Sequence, residues 1–319
     1  MSRAWYTNLM KLLLIGNTEV AEDNEAYFGR YVDFLRGSVA QDNGEIEVEF
    51  TFFDDLHIGV GDGKFIIYDT RHKQHVSDVD MVLLRGGGFR KYYDVIKAIS
   101  VYGAEHGLLV SNDYSGFRDS SKLTQAVQFH QLGLPVAHSV YITEAVLQQK
   151  LPLGFEFPCI MKATFGSHGN DNYLVKSIDQ VAEIFHKNPV KKFVLQRFVP
   201  NDNDYRILII GDEVAVISRS PVEGSHLNNT SQGGEAVLAA DDAVPADIIA
   251  RSKKIAKHLD MSIAGVDVLA DKETGDFYFL EVNAQPQLMT GAFLDVKSQM
   301  MGNYLRLLNQ QRQAAKTAS

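Results

Sequence analysis

Apolar and polar positions alternate in two different ways along the chain, and the first pattern occupies roughly the first third. Short apolar runs at 11–16, 46–53, 65–68 and 80–84 are separated mainly by amphipathic stretches. Runs of this length are typical of strands, and the stretches between them are typical of helices. This part of the sequence therefore predicts βαβ units and a mostly parallel sheet.

After residue 112 the apolar runs follow each other in adjacent pairs. Turn residues separate these runs, which lie at 193–199, 205–210, 213–219, 263–270 and 277–282. Neighbouring strands joined by short turns are typical of antiparallel hairpins. We therefore expect an α+β second part from about Arg118 onward, and a polar, frayed tail at 310–319.

One predicted hairpin carries a carboxylate on each of its strands. Asp267 lies seven residues before Thr274 and Glu281 lies seven residues after it, so a hairpin centred there sets the two carboxylates opposite each other. Strand alternation places Asn283 on the same face as Glu281. Oxygen ligands without His or Cys favour Mg²⁺. The pattern predicts a magnesium site, with two solvated charges on an edge hairpin as the alternative.

A second hairpin is predicted by the turn residues Gly211 and Asp212. A two-residue turn there places Asp204 opposite Arg219 and sets Arg206 on the same face. Two guanidinium groups on one sheet face suit the recognition of phosphate or carboxylate. An exposed ladder of salt bridges is the alternative interpretation.

A glycine-containing loop follows a lysine at the end of a buried strand. Lys162 is followed by Gly166, Ser167, His168 and Gly169. Glycines let backbone N–H groups approach phosphate oxygens closely, and the lysine adds a positive charge. The spacing is not that of a P-loop, and an ordinary loop with an exposed histidine is the alternative.

Two further features carry weaker signals. Lys122 lies at the start of a predicted helix, where solvated lysines are common. The segment 224–235 is rich in hydroxyl and amide side chains, includes Asn229 and ends near two glycines. Taken alone, it is equally well interpreted as a flexible loop.

Composition narrows the classes of partner and compartment. The chain has 31 Lys and Arg against 40 Asp and Glu, a formal net charge of −9. This balance argues against nucleic acid or a membrane surface as a partner bound by charge. The single cysteine, Cys159, excludes an intramolecular disulfide, and its apolar surroundings predict a buried, inert thiol. With no apolar run long enough to span a bilayer, these features predict a cytoplasmic protein.

Taken in order, these segments resemble the ATP-grasp superfamily of ATP-dependent ligases. The resemblance is greatest to the branch of the ribosomal-protein glutamate ligase (RimK-like) and bacterial glutathione synthetase, and it runs from about Arg118 to Pro286. It implies an N-terminal Rossmann-like (pre-ATP-grasp) α/β domain at 1–117. An ATP-grasp fold of two α+β subdomains, a small lid subdomain at 118–196 and a metal-site subdomain at 197–319, would follow.

The resemblance implies a nucleotide site made of two lysines, a mobile glycine-rich loop and a linker strand. The lysines would contact the phosphates, the loop would close over ATP, and the linker backbone would read the adenine edge. In chain order the implied residues are Lys122, Lys162, Gly166, Ser167, Gly169, Gln196, Arg197, Phe198, Val199 and Asp204. The last of these matches a carboxylate on the ribose side or an orienting carboxylate.

The same resemblance implies the chemical groups. The implied metal ligands, for two Mg²⁺ ions or for Mn²⁺ in their place, are Asp267, Glu281 and Asn283. Arg206 and Arg219 match arginines near the transferring phosphate, and Asn229 matches an asparagine that serves the phosphate and metal region.

The chain departs from the family pattern at three places. Asn283 is followed by Ala-Gln-Pro-Gln in place of the usual Ser/Pro-Gly ending, Leu227 stands where relatives often have arginine, and Gln196 replaces an acidic residue. None of these changes a lysine or a metal position. They leave the amine donor and the carboxylate acceptor open.

The implied activity is carboxylate–amine ligation through an acyl phosphate, with release of ADP and phosphate. The substrates would be a small-molecule or peptide carboxylate and an amine or amino acid, and a homo-oligomer stays open. A ligase that tails or cross-links a protein or peptide, and a non-catalytic ATP-binding module, are the alternatives. Arg85 leaves a strand at the carboxyl edge of the first sheet, where α/β proteins bind ligands. It is our candidate for holding the substrate, with pairing to a nearby acid as the equal alternative.

Overall fold

A computed structural model of the chain describes residues 9–40, 45–86, 91–114, 121–149, 153–166, 171–220, 235–240 and 242–318. The strands are β1 (Met10–Gly16), β2 (Ile46–Phe52), β3 (Leu56–Gly61), β4 (Lys64–Asp69), β5 (Gln74–His75), β6 (Met81–Leu84), β7 (Leu109–Ser111), β8 (Ser139–Ile142), β9 (Cys159–Ala163), β10 (Asn172–Val175), β11 (Phe193–Arg197), β12 (Asp204–Ile210), β13 (Glu213–Ser220), β14 (Glu235–Leu238), β15 (Ile263–Ala270) and β16 (Phe277–Asn283). The helices are α1 (Asn24–Ala40), α2 (Tyr93–His106), α3 (Lys122–Gln131), α4 (Glu144–Gln148), α5 (Ile178–Lys187), α6 (Ala246–His258) and α7 (Leu294–Ala318).

The first part of the chain is built on a parallel sheet in the order β2-β1-β6-β7. The central strand β1 is buried on both faces: Leu12 and Leu14 pack towards α1, and Leu13 and Ile15 pack towards α2. Burial on both faces is why this strand is a continuous apolar run. The predicted parallel sheet is confirmed.

The strand predicted at 65–68 exists, but it belongs to a separate antiparallel sheet, β3-β4-β5. Asp62 and Gly63 form the two-residue turn between β3 and β4, and both have positive φ, 50° and 71°. An Asp-Gly turn with this backbone joins antiparallel strands. The prediction of parallel βαβ units therefore does not extend to this segment.

The second part contains two antiparallel sheets, β10-β9-β11-β8 and β14-β13-β12-β15-β16. Strands β11 and β12 are neighbours in sequence but lie in different sheets. The hairpins β12-β13 and β15-β16 form as predicted, and β12 pairs with β15 to join them. The α+β character of this part is confirmed. Cys159 is fully buried in β9, and burial raises the pKa of its thiol to about 11.

The five-stranded sheet has two different faces. On one face Ile207, Val266 and their neighbours pack against α3 and α6. On the other face Leu208, Ile210 and Ile263 pack beneath α7 and the first domain. The remaining part of this second face is polar, and it carries the candidate site.

Helix α7 contradicts the predicted frayed tail, because it continues to Ala318. Near its end Arg312 and Lys316 both pair with Asp80, which precedes β6, and the Lys316 Nζ–Asp80 Oδ1 distance is 3.3 Å. Two of the polar residues of this segment thus pair with the amino end of β6, and most of the others are exposed. Among the described residues, the helices lack the combination of length and apolar composition that crossing a bilayer requires.

Candidate active site

Five charged residues meet on the polar part of the five-stranded sheet. The pairing of the strands sets Asp204 opposite Arg219, Arg206 opposite Asp267, and Asp267 opposite Glu281. Residues directly opposite each other in adjacent strands point to the same side of the sheet. The juxtapositions predicted for the two hairpins are therefore confirmed.

A β-bulge brings the two carboxylates opposite each other. Asp267 pairs with Glu281, whereas the next residue, Val268, pairs with Phe279, so that Leu280 has no partner across the hairpin. Without this extra residue, the register of the turn would set Asp267 against Leu280. The bulge thus produces the one-residue shift in strand pairing that places Asp267 opposite Glu281, as in the predicted hairpin centred on Thr274.

Two arginines contact both carboxylate oxygens of Asp267. Arg206 donates from Nε to Oδ1 at 2.8 Å and from Nη2 to Oδ2 at 2.7 Å. Arg219 Nη2 lies 3.0 Å from the same Oδ2, and its Nε donates to Asp204 Oδ1 at 2.6 Å. Asp204, Arg219 and Asp267 are each less than 10% exposed. The site is a compact network of buried ion pairs with alternating charge.

The network shifts the pKa values of its two aspartates in opposite directions. Burial acts to raise the pKa of Asp267, but the charges of Arg206 and Arg219 outweigh it, so that the pKa lies below its ordinary value. For Asp204, burial and the charge of Asp267 outweigh Arg219 and raise the pKa to about 6. The two shifts are opposite because Asp267 pairs with both arginines, whereas Asp204 pairs with Arg219.

The predicted ligand set fits Mg²⁺ in donor chemistry, since it consists of two carboxylates and an amide oxygen. Glu281 is the more open carboxylate: its side chain is 37% exposed, and Lys122 Nζ lies 3.9 Å from Oε2. Asn283 Oδ1 accepts from the Gln285 backbone N–H at 2.8 Å. Among the described residues, no three His, Cys, Asp or Glu side chains form a metal-binding group. A metal on Asp267 would share the carboxylate with the guanidinium groups of Arg206 and Arg219, which contact both of its oxygens.

Two lysines face this network from the neighbouring sheet and from α3. Lys162 lies in β9, and its Nζ donates to Gln196 Oε1 at 2.8 Å; burial lowers its pKa to about 8. Lys122 is the first residue of α3, and its Nζ donates to the carbonyl of Gly166 at 3.1 Å. The positive charge of Lys122 adds to the lowering at Lys162. The two lysines are thus neighbours at the entrance to the loop.

The predicted linker lies where β11 leaves the four-stranded sheet. The side chain of Gln196 bridges Lys162 to Ser139, to which its Nε2 donates at 3.0 Å. The guanidinium carbon of Arg197 lies 5.0 Å from the ring centre of Tyr278. Phe198 is partly buried and Val199 fully so. Of the remaining predicted residues, Ser167, Gly169 and Asn229 lie outside the described ranges.

Arg85 is buried between the first domain and the segment after β16. It is 4% exposed, its Nη2 donates to the Pro286 carbonyl at 2.5 Å, and its guanidinium carbon lies 5.7 Å from the Tyr31 ring centre. Among the described residues its partners are thus a carbonyl and an aromatic ring, without an acid. A role in holding the substrate remains a prediction.

Two amide side chains that sequence reasoning missed hold the hairpin β15–β16 in place. Asn112 Oδ1 accepts from Ile263 N, and its Nδ2 donates to Ile263 O and to Ala284 O, all at 2.8–2.9 Å. Gln125 Oε1 accepts from Val282 N at 2.7 Å. The sequence did offer a signal for Asn112, because it directly follows a predicted strand at the carboxyl edge of the first sheet. Its φ of 60° is one that Asn adopts more readily than most residues.

A family model described as a RimK-like ATP-grasp domain matches residues 119–302, more than half of the chain. The tetrahydromethanopterin:alpha-L-glutamate ligase of Methanosarcina acetivorans is 25% identical over 251 residues, which cover 66% of this chain and 74% of that protein. A probable alpha-L-glutamate ligase of Xanthomonas oryzae is 28% identical over 136 residues. That match covers 41% of this chain and 44% of the relative, less than half of the relative's length.

The fold has a close counterpart among solved structures. The ATP-grasp ligase PsnB, in a complex with a phosphomimetic variant of a minimal precursor, Mg and ADP, superposes with a TM-score of 0.67 at 16% identity. The superposition covers 95% of this chain and 99% of the PsnB chain. At this identity the similarity demonstrates a shared fold.

Proposed function

Because the chain belongs to the RimK-like ATP-grasp family of ligases, which form carbon–nitrogen bonds with ATP and magnesium, we propose that it joins a substrate carboxylate to the amino group of an amino acid. The carboxylate would attack the γ-phosphate of ATP to give an acyl phosphate and ADP. The amine would then displace phosphate. This activation is needed because oxide is a poor leaving group from a carboxylate and phosphate is a good one.

The observation that carries this proposal is the charge network on the five-stranded sheet. Asp267 and Glu281 lie opposite each other, while Arg206 and Arg219 share their face. A site for transfer of a phosphoryl group needs fixed cations around the transferring group, together with carboxylates that can hold a metal. The network supports both requirements within a few neighbouring strands.

We propose that Asp267, Glu281 and Asn283 hold two Mg²⁺ ions, with Mn²⁺ as an alternative metal. Bound there, the metal would supply positive charge that spreads the negative charge of the phosphates. Arg206 and Arg219, released in part from Asp267, would bind the transferring phosphate and the developing oxyanion.

The proposed role of the lysines is to hold the nucleotide phosphates. Burial disfavours the charged form of Lys162, and an anionic phosphate group beside it would favour that form again. Lys122 bonds to the loop at Gly166, and we propose that the glycine-containing loop, with Ser167 and Gly169, closes over ATP. Closure would protect the acyl phosphate from water.

Release of ADP with a panel of amino acids and candidate carboxylates tests the proposal. We expect turnover that depends on Mg²⁺ and on one amino acid. Turnover only in the presence of a polypeptide would favour the peptide-modifying ligase instead, and binding of ATP without any turnover would overturn the assignment of an activity.

Glu281→Ala tests the metal site within the same assay. We expect turnover to fall at least about a hundredfold, because loss of an interaction with developing charge has effects of this size. Glu273→Ala, in the exposed turn of the same hairpin, is the matched control and should retain the wild-type rate. Full activity of Glu281→Ala with Mg²⁺ would contradict the role of Glu281.

A further inference from the structure

A lysine occupies a core position on helix α7. Met300, Met301 and Tyr304 form the buried stripe with which α7 packs on the five-stranded sheet and the first domain, and Lys297 precedes them at the same helical spacing. Lys297 is 4% exposed. An ammonium group at such a position costs free energy, because burial removes its hydration.

The ammonium group of Lys297 has little compensation from the chain itself. Its Nζ donates to the Thr290 carbonyl at 2.9 Å. Within the described ranges, no Asp or Glu side chain forms an ion pair with it. An ammonium carries three donors, so two of them have no acceptor in the described part of the chain. A buried lysine of this kind is suited to an anion supplied by a ligand.

The cover over Lys297 is a loop that follows the predicted metal ligand Asn283. Gln287, Thr290 and Gly291 in this loop are exposed, whereas Lys297 beneath them is buried. Gly291 has a φ of 77°, and a Cβ there would lie 2.9 Å from Gln287 Oε1 and 3.7 Å from Lys297 Nζ. The positive φ therefore favours glycine at this position, while the contact with the ammonium would be an ordinary one.

Arg206 is the charged neighbour of Lys297 on the side of the sheet. Burial and, to a smaller extent, the positive charge of Arg206 together lower the pKa of Lys297 to about 8. The Arg206 stem passes over Gly265, where an added Cβ would lie 3.3 Å from Arg206 Cδ and 3.3 Å from Pro286 Cβ. The guanidinium group thus lies between the sheet and the loop, on the same side as Lys297.

We propose that Lys297 and the loop at 287–291 form a binding subsite for a non-reacting carboxylate group of the amino-acid substrate. This inference rests on the proposed ligase function. The two adjacent cations attract an anion, and only Arg206 has a carboxylate partner of its own. Lys297 belongs to α7, which packs on α1, whereas Lys122 and Lys162 lie on α3 and the four-stranded sheet. The anion is therefore assigned to the substrate and the nucleotide phosphates to the other two lysines.

Calorimetric titration of the full-length protein with L-glutamate, in the presence of AMPPNP and Mg²⁺, tests the subsite. Lys297→Met keeps the length of the side chain and removes its charge. We expect it to lower the affinity for L-glutamate about tenfold or more, the size of effect known for hydrogen bonds to charged groups. The affinity for AMPPNP should stay within about twofold of wild type.

Two amide analogues of L-glutamate show which of its two carboxylate groups the subsite binds. L-glutamine lacks the side-chain carboxylate and L-isoglutamine lacks the α-carboxylate. In wild type one of them should bind about tenfold more weakly than L-glutamate, and this difference should disappear in Lys297→Met. A difference that persists in Lys297→Met would overturn the subsite.

Lys254→Met, at an exposed position on α6, is the matched control and should bind L-glutamate as wild type does. Lys297→Met should unfold at no lower a temperature than wild type, because replacing an unpaired buried charge with an apolar side chain is neutral or stabilising. Unchanged affinity in Lys297→Met, or no binding of L-glutamate by wild type, contradicts the subsite. Failure of wild type to bind AMPPNP contradicts the ligase proposal instead, and titration with L-glutamate alone then decides the subsite.

Discussion

Asp267 illustrates how a residue that is suited to bind a metal is neutralised by the chain itself. Two facing carboxylates would repel each other, so the sequence required positive charge near Asp267 and Glu281. In the structure Arg206 and Arg219 supply it to Asp267, and Lys122 lies nearest to Glu281. The physical requirement was readable from the sequence, but the identity of the cations was not.

Lys162 is the residue at which nucleotide binding should be most sensitive to charge. Lys162→Met should weaken the binding of AMPPNP about tenfold or more, because it removes a charge-assisted interaction with phosphate. Calorimetry with Mg²⁺ present measures this change. Lys192→Met, exposed beside the same sheet, should bind as wild type does, and equal losses in both variants would argue against a specific contact.

The pKa of Lys162 also predicts a pH dependence. Burial lowers this pKa to about 8 in the free protein, so the ammonium loses its proton as the pH rises through this value. Phosphate favours the charged form, so the affinity for AMPPNP should fall between about pH 7 and pH 9, with proton uptake on binding above about pH 8. Titrations in buffers of different ionisation enthalpy measure this uptake. Uptake of the same size in Lys162→Met would assign it to another group.

At the scale of the elements, the hairpin β15–β16 carries Asp267, Glu281 and Asn283, the proposed metal ligands, and other parts of the chain hold its open end. Asn112, at the end of β7, bonds to Ile263 at the start of β15 and to Ala284 just after β16. The bulge at Leu280 sets the register within the hairpin, while Asn112 fixes the hairpin against the first domain. The geometry of the site thus depends on the bulge within the hairpin and on the Asn112 contacts at its open end.

Asn112→Gly should lower the free energy of unfolding by about 2 kcal/mol or more, because it removes four hydrogen bonds and leaves buried Ile263 groups without the Asn112 side chain. Urea denaturation measures this. Glycine is chosen because Asn112 has positive φ, and Asn112→Ala should cost about 1 kcal/mol more through backbone strain. An Asn112→Gly variant as stable as wild type would remove Asn112 from this role.

At the scale of the whole molecule, α7 joins the two parts of the chain. Its apolar stripe covers the five-stranded sheet and contacts α1, and its last turns reach the amino end of β6 through Asp80. Arg85 and Gln285 connect the first sheet to the segment after β16, since Gln285 Nε2 donates to Leu84 O at 3.1 Å. The parallel sheet is therefore part of the framework that positions the candidate site.

Asp80→Asn tests whether ion pairs hold the end of α7. We expect amide hydrogen exchange to accelerate within residues 310–317 while exchange in β1 and β6 stays slow, because the ends of helices open locally. Mass spectrometry of peptides measures this difference. Glu47→Gln, at an exposed position of β2, is the control, and unchanged exchange in Asp80→Asn would show that packing alone holds this end.

The sequence by itself determined the features that depend on local spacing. Alternation and turn residues predicted the hairpins β12–β13 and β15–β16 and the facing pairs within them, because two-residue turns and strand periodicity act over a few residues. The motifs also identified the family. The antiparallel β3–β4 hairpin was also readable in principle, because Asp62 and Gly63 are residues typical of a two-residue turn.

The tertiary structure alone decided which charges meet. Arg206 and Asp267 are 61 residues apart, and they pair because β12 lies beside β15, a choice that no local pattern specifies. The same holds for Asp80 with the end of α7 and for Lys297 beneath its loop. In each case the residue looks ordinary in its own segment. Its contribution to the free energy arises because packing removes its water and either brings a distant charged partner close or leaves the charge without one.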